Sequence, residues 1–536
     1  MRRVSLVTAL RTGLPALLAL AACHSRSDVW DTGAPSSLVA VGLSSAVVVL
    51  DDPMHRAMAL LPQPDQRLDV TPLPIGHQML AATASPDGAR LFVLSAGDAP
   101  RRSAQDEYPS MTVLDGATAT VRATRYEMAE PLGSLAIDPQ GHWAAAFAGA
   151  QATTDFVQNP NEIVLFDLTR EPGPSNPISR TIRSFGGTPQ RLTFTPTLHL
   201  PGGPRRLLVI ESDRDVTLLD LDHAEDVPPR PEITVRLTNG SDTRTLAPAG
   251  VVVDDGDPTR TDDARVAVRT SSDSNVITLQ LGPSASGSPN DFQPVVNLTD
   301  VGAIPSDIAF VRTDGGLRVA ALVPSTSSAV LVDPDTSITE VVDLPAPYAS
   351  LSLVTGATGG TSGTDVALLW SGGPAGGVAF WTLGVTAGQP YRSVEVLGIT
   401  DSIERVIAVP APNEQLRVLE SGSSSAFYVL DLGTRTAAPL ETTGGASLAV
   451  SPDGQRVWVF GPHTSDLAAM SLATLHPVPL YVDRPVDAVF DVAAAGGGRA
   501  LVALHGSGNV GATVFDALAP DTATARCYSG LLLEGL

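Results

Sequence analysis

Gly506-Ser507-Gly508-Asn509-Val510-Gly511 fits the spacing G-x-G-x-x-G. In a dinucleotide site such glycines let the backbone approach a pyrophosphate that the next helix holds at its N-terminus. Here the segment lies between Ala500–Leu504 and Ala512–Asp516, two strand-like runs with no helix between them. It is therefore read as a hairpin turn, and no cofactor is expected. Asp254, Asp255, Asp257, Asp262 and Asp263 crowd five carboxylates into ten residues. Calcium takes about six to eight oxygens, which such a loop can partly supply, but the spacing departs from the EF-hand pattern. A solvated acidic loop is the first reading and a calcium site the second. Nine histidines, His24, His55, His77, His142, His199, His223, His463, His476 and His505, never fall at H-x-H or H-x-x-x-H, so no local zinc pair exists. G-x-S-x-G is absent, which removes the nucleophile elbow. All 34 basic side chains are arginine, which excludes a Schiff-base lysine, a P-loop lysine and a Ser-Lys dyad. No catalytic set follows from these residues.

The remaining polar chemistry is acidic. The formal net charge is −23, and the chain has no basic run to offset it, so nucleic acid is not an expected partner. Hydrophobic residues make up 43% of the chain and charged residues only 17%, enough for a large core. The 48 glycines and 44 prolines suit many turns between short strands rather than long helices.

Residues 1–22 read as an export signal: Arg2 and Arg3, then the short apolar run Gly13–Ala22. The run is too short to span a bilayer. Leu20-Ala21-Ala22-Cys23 resembles the bacterial lipobox at all four positions. That resemblance implies cleavage before Cys23 and acylation of its thiol and new amine, giving a stable multi-chain anchor. His24 stands where an aspartate would imply inner-membrane retention, so the outer membrane is the expected address. Residues 23–36 are then a polar tether and 37–536 the folded domain. With Cys23 lipidated, Cys527 has no disulfide partner in the chain and is expected to be a packed residue near the end.

The elements that must position these groups repeat. Ser85–Leu94 (SPDGARLFVL) returns as Ser451–Phe460 (SPDGQRVWVF), with a divergent copy at Ile137–Phe147. Asp87 and Asp138 are 51 residues apart, and the two close copies 366, which sets a period of about 52. Each module reads as four short strands. The second is expected at Met79–Ala84, Arg90–Leu94, Met111–Leu114 and Thr120–Arg125, and later modules begin near Gly250, Ser306, Ala349, Ile403, Ser447 and Asp487. The first, Leu38–Leu61, reads as three strands lacking an opening one. Long loops Ala96–Pro109 and Gly149–Asn161 and glycine-rich runs Thr355–Gly363 and Gly372–Gly377 interrupt the pattern. In SPDG, proline presets φ, aspartate caps the turn and glycine takes positive φ. Asp51, Asp115, Asp167, Asp220, Asp333, Asp431 and Asp516 are read as Asx turns into fourth strands.

Four-stranded modules in tandem without helices predict an all-β fold, a β-propeller of four-stranded antiparallel blades. The count falls between seven and ten blades, in one ring or two smaller ones. SPDGARLFVL with Met111-Thr112-Val113-Leu114-Asp115 and Thr118 resembles the YVTN repeat of YncE-like propellers, as do Phe427–Asp431 with Thr434 and Val330–Asp333 with Thr336. That family usually has seven blades, and the resemblance implies no particular reaction. The expected function is a lipid-anchored, non-catalytic scaffold for a protein, peptide or glycan ligand, touching the membrane through its anchor only. The alternatives are a propeller enzyme of lactonase or quinoprotein type with an axial site, and an outer-membrane assembly subunit.

Overall fold

The structure is a computed structural model that describes residues 39–533, apart from 118–119, 150–156, 184–186, 227–231, 239–243, 245, 286–287, 289, 355–363, 374–376, 386–390, 423–425, 443–445 and 507–509. Four consecutive antiparallel strands make each of ten sheets, and one small hairpin is added. The first strands of blades 1 to 10 are Val39–Gly42, Met79–Ala84, Ser134–Ile137, Pro189–Phe194, Pro248–Asp254, Asp307–Thr313, Ser350–Leu353, Ile403–Ala408, Ser447–Val450 and Ala488–Ala493. First strands of blades 2 and 3, 3 and 4, 5 and 6, 6 and 7, and 9 and 10 lie against one another, and that of blade 10 meets that of blade 1. First strands therefore surround a common axis, and fourth strands face outward.

Burial follows from this placement. Second and third strands such as Val47–Asp51 and Leu207–Ser212 are buried along their whole length, because both faces of a blade pack on a neighbour. First strands such as Pro248–Asp254 and Ser447–Val450 are half-buried throughout, with one backbone edge open to the axis. Fourth strands such as Leu68–Pro74 are largely exposed.

Apolar clusters fill every seam between adjacent blades. One more joins the last blade to the first, packing Val47, Val49, Met58 and Leu60 on Val502, Leu504, Ala512 and Val514. Burying each large side chain in these seams contributes about 1.5–3 kcal/mol. Across the closing seam the Tyr528 hydroxyl donates to the Gln66 carbonyl at 3.0 Å, and the Arg56 guanidinium donates to the Leu532 carbonyl. The chain is thus one closed β-propeller of ten blades, not two rings. Side-chain packing closes it, since no blade mixes strands from the two ends.

Two readings of the sequence change. Blade 1 has four strands, Val39–Gly42, Val47–Asp51, Arg56–Pro62 and Leu68–Pro74. Only a tight turn at Ser44-Ser45 divides the first two, so they read as one apolar run. Asp51 therefore ends a second strand, and it pairs with Arg56 Nε at 3.0 Å rather than opening a fourth. The other change concerns the repeat. Ser85 Oγ accepts from Arg90 N at 2.9 Å, and Ser451 Oγ accepts from Arg456 N at 2.9 Å. In the divergent copy this place belongs to Asp138, whose carboxylate accepts from the amides of Gln140, His142 and Trp143. Asp138 thus answers to Ser85, and Gln140 to Asp87.

First-to-second and third-to-fourth turns crowd one face of the ring, called here the closed face. Second-to-third turns and blade-to-blade connections form the open face.

Candidate functional site on the open face

Arginines at or near the starts of second strands fasten the closed face. Arg206, just before the second strand of blade 4, makes a buried two-pronged pair with Asp138 of blade 3. Burial alone would push the Asp138 carboxyl up, but the Arg206 hydrogen bonds hold it below its ordinary value. Arg265 of blade 5 reaches Asp335 of blade 6 at 2.7 Å, Arg90 reaches the Gly141 carbonyl at 3.0 Å, and Arg456 reaches the Leu518 carbonyl at 2.7 Å. The fork geometry of arginine suits such clamps. Asp115, Asp167, Asp220, Asp333, Asp431 and Asp516 form the expected Asx turns on this face.

The acidic loop also belongs to the closed face, between Pro248–Asp254 and Arg265–Thr270. Its carboxylates are engaged separately. Asp254 accepts from Gly256 N at 2.7 Å, Asp257 from Thr259 N at 2.9 Å, and Asp262 from Arg260 Nε at 3.0 Å. Asp263 accepts from Asp257 N at 2.9 Å. Asp255 accepts from the amide and Nδ1 of His199, both at 2.6 Å. His199 sits on the extra hairpin Leu198–Leu200 and Gly203–Arg205, which sequence reading missed although Pro201-Gly202-Gly203-Pro204 is a turn signal. Among the described residues no three His, Cys, Asp or Glu side chains are grouped to hold a metal ion.

The other sequence-stated positions disperse. His505 and Gly511 pair across an antiparallel hairpin, as expected for the glycine segment, whose residues 507–509 lie outside those described. His223 pairs with Asp220, His463 with Asp487, and buried His505 with the Pro485 carbonyl and Thr513. His55 and His77 do meet on the open face, with ring centroids 4.0 Å apart. His77 stands 2.9 Å from Asp98 and 3.0 Å from Glu107, both in the long loop Ala96–Pro109. Cys527 is exposed, contrary to expectation, because it falls on the outward fourth strand Arg526–Ser529. Cys23 lies outside the described residues.

The site that sequence reading missed lies on the open face at blades 4 to 6. Four ionisable groups come together near the starts of first strands. Arg191, on the first strand of blade 4, pairs across the sheet with Glu211 on the second strand. Arg191 Nε is 3.2 Å from Glu211 Oε1 but is not aimed at it, so both buried Glu211 oxygens lack a hydrogen bond. Arg269, on the second strand of blade 5, faces Gly250. A Cβ there would stand 2.9 Å from Arg269 Nε, so glycine gives the guanidinium its room. Asp307 opens blade 6 and accepts from the amides of Ile308 and Leu351. Burial pushes the Glu211 and Asp307 carboxyls above their ordinary values and pulls the Arg269 guanidinium below its own. In blades 4 and 5 a β-bulge just inside the first strand helps aim these side chains.

Arg269 also lines an open cleft of about 800 Å³. Ser271, Ser272, Asp273 and Ser274 supply one wall from the second-to-third turn of blade 5, and Arg244 enters from the preceding connection. The opposite wall is Ala303–Ser306 with Pro324 and Ser325 of blade 6. Arg244 donates to Asp273 at 2.9 Å.

Neither a protein-family profile nor a curated protein sequence matches the chain. Among solved structures it is similar to the dihydro-heme d1 dehydrogenase NirN in complex with DHE, at 12% identity over 83% of this chain and 75% of that one, with a TM-score of 0.40. It is similar to a eukaryotic initiation factor at 10% identity over 76% and 87%, TM-score 0.41. It is also similar to BBS1N in complex with ARL6DN at 10% identity over 68% and 94%, TM-score 0.35. The fold assignment rests on the ten sheets of this chain and the seams that join them.

Proposed function

We propose that this chain is an exported β-propeller, anchored by acylated Cys23 to the outer membrane of a bacterial envelope, that acts as a non-catalytic binding scaffold through its open face. One observation carries the reading: Arg206, Arg265, Arg90 and Arg456 of the closed face tie blade to blade, whereas the open face keeps a cleft of about 800 Å³ beside Arg269 and the unbonded Glu211 carboxylate. Binding sites are typically carried by loops on a rigid frame. An envelope protein of strong negative charge suits protein, peptide or glycan ligands better than nucleic acid. The enzyme reading has one observation in its favour, the raised carboxyls of Glu211 and Asp307 near a cleft.

Membrane fractionation tests the anchor. Cys23→Ala should move the protein to the soluble fraction, and continued membrane retention would refute lipidation. Affinity capture with the soluble chain tests the face. A partner lost on changing Ser272 and Ile304 to arginine supports open-face binding; a partner insensitive to both changes points to another surface.

A further inference from the structure

Arg269 is a half-buried, poorly satisfied cation on the open face. Among the described residues its side chain makes one long hydrogen bond, 3.4 Å from Nη1 to the Pro305 carbonyl, and no ion pair within 4 Å. A guanidinium carries five donors in a planar fork, and those of Arg269 that bond no protein atom are available to a molecule in the cleft that it lines. Its acidic neighbours do not answer them: Glu211 stands toward Arg191, and the Asp307 carboxylate is taken up by two backbone amides. Arg269 and Arg244 bring two guanidinium groups to one cleft in a chain of net charge −23. Gly250 keeps the space that the fork occupies.

From Arg269, its opening onto the cleft, and the serine hydroxyls on the cleft walls, we infer a binding site for a hydroxyl-rich small ligand or glycan end bearing a carboxylate or phosphate. The oxyanion meets the Arg269 fork in two parallel hydrogen bonds, with Arg244 at the outer edge. Ser271, Ser272 and Ser325 offer donors and acceptors to ligand hydroxyls. Among the described residues no aromatic side chain lines the cleft, so charge and hydrogen bonds at Arg269 act beside the apolar Ala303, Ile304 and Pro305, and binding weakens with added salt.

The inference rests on the open face being the binding face, and its test separates the two. Calorimetric titration of the Cys23→Ala chain would use glucuronate, glucose 6-phosphate, inorganic phosphate and glucose. Glucuronate or glucose 6-phosphate should bind while glucose does not, and the preferred arm tells carboxylate from phosphate. Binding of inorganic phosphate alone would overturn the need for hydroxyls. Arg269→Gln should weaken binding about tenfold or more, and Arg269→Lys less, because charge survives but the fork does not. Without ligand, Arg269→Gln should melt no lower than the parent, since a half-buried cation with only one long hydrogen bond is removed. Equal binding of glucose, no binding of any probe, unchanged binding by Arg269→Gln, or a clear loss of stability in that variant would overturn the site. If the probes fail while a captured partner still depends on Ser272 and Ile304, the ligand class fails and the open-face reading stands.

Discussion

The two faces of the ring use the same residue type for opposite ends. On the closed face, Arg206, Arg265, Arg90 and Arg456 each terminate on a carboxylate or carbonyl of another blade. On the open face Arg269 has only a long hydrogen bond, 3.4 Å to the Pro305 carbonyl, and Glu211 beside it is buried without a hydrogen bond. A chain with no lysine must do both jobs with arginine, so the surroundings decide which arginine fastens and which is left to bind. Fastening one face limits motion of the blades relative to one another. Strain and unmet hydrogen bonds can then be tolerated on the other.

The largest test of this contrast is Asp138→Ala. The carboxylate is fully buried, and its loss strands the Arg206 guanidinium without its counter-charge. We expect a loss of about 3–5 kcal/mol in denaturant unfolding. Removing both partners, as in Asp138→Leu with Arg206→Met, should recover much of that. A loss below about 1 kcal/mol for the single change would mean that the closed face is not fastened by this pair. Because the folded carboxyl is held below its ordinary value, its contribution is present above the unfolded-state value and fades as pH falls through the folded one.

Next come the two close copies of the repeat, whose glycines have matching backbone. Gly88 and Gly454 have φ of 67° and 64°. A Cβ at Gly88 would meet only Ser44 Oγ at 3.8 Å, whereas at Gly454 it would collide with the Pro410 carbonyl of blade 8. Gly88→Ala should therefore cost the left-handed strain alone, about 1–2 kcal/mol. Gly454→Ala should cost about 1–3 kcal/mol more. Equal melting points for the two variants would show that the blade 8 turn moves aside and that this part of the closed face is loose.

The strands of that face were legible because turn chemistry and β-rich runs are local. Met79–Ala84 matches its expected limits, the starts expected at Ile403 and Ser447 are met, and those expected at Ser306, Ala349 and Asp487 fall one residue from Asp307, Ser350 and Ala488. Ten blades rather than seven follows from the spacing once blade 1 is given its opening strand. The clamps were not legible, because Asp138 and Arg206 lie 68 residues apart and meet only when two blades pack. The cleft was hidden for the same reason. Laying first strands against second ones would have set Arg191 opposite Glu211, but the missing partner of Arg269 depends on the angle between blades 5 and 6.

The smallest expected effect lies on the open face and is a change of slope. Burial raises the Glu211 carboxyl, with the nearby Arg191 and Arg269 charges only partly opposing it. The folded state therefore holds the Glu211 proton more tightly than the unfolded chain does. Its contribution to stability is complete below the unfolded-state value, about 4.3 for a free glutamate, and is lost as pH rises through the folded value. Glu211→Gln removes this titration, so melting points of parent and variant should diverge in the variant's favour as pH climbs from about 4 toward neutral. Asp307 shifts in the same direction and stays in both chains, so the difference isolates Glu211. Asp138 supplies the opposite slope from the closed face. A parent that instead gains on Glu211→Gln with rising pH would mean that Arg191 holds the carboxylate as firmly as Arg206 holds Asp138, and the two faces would then differ in position but not in kind.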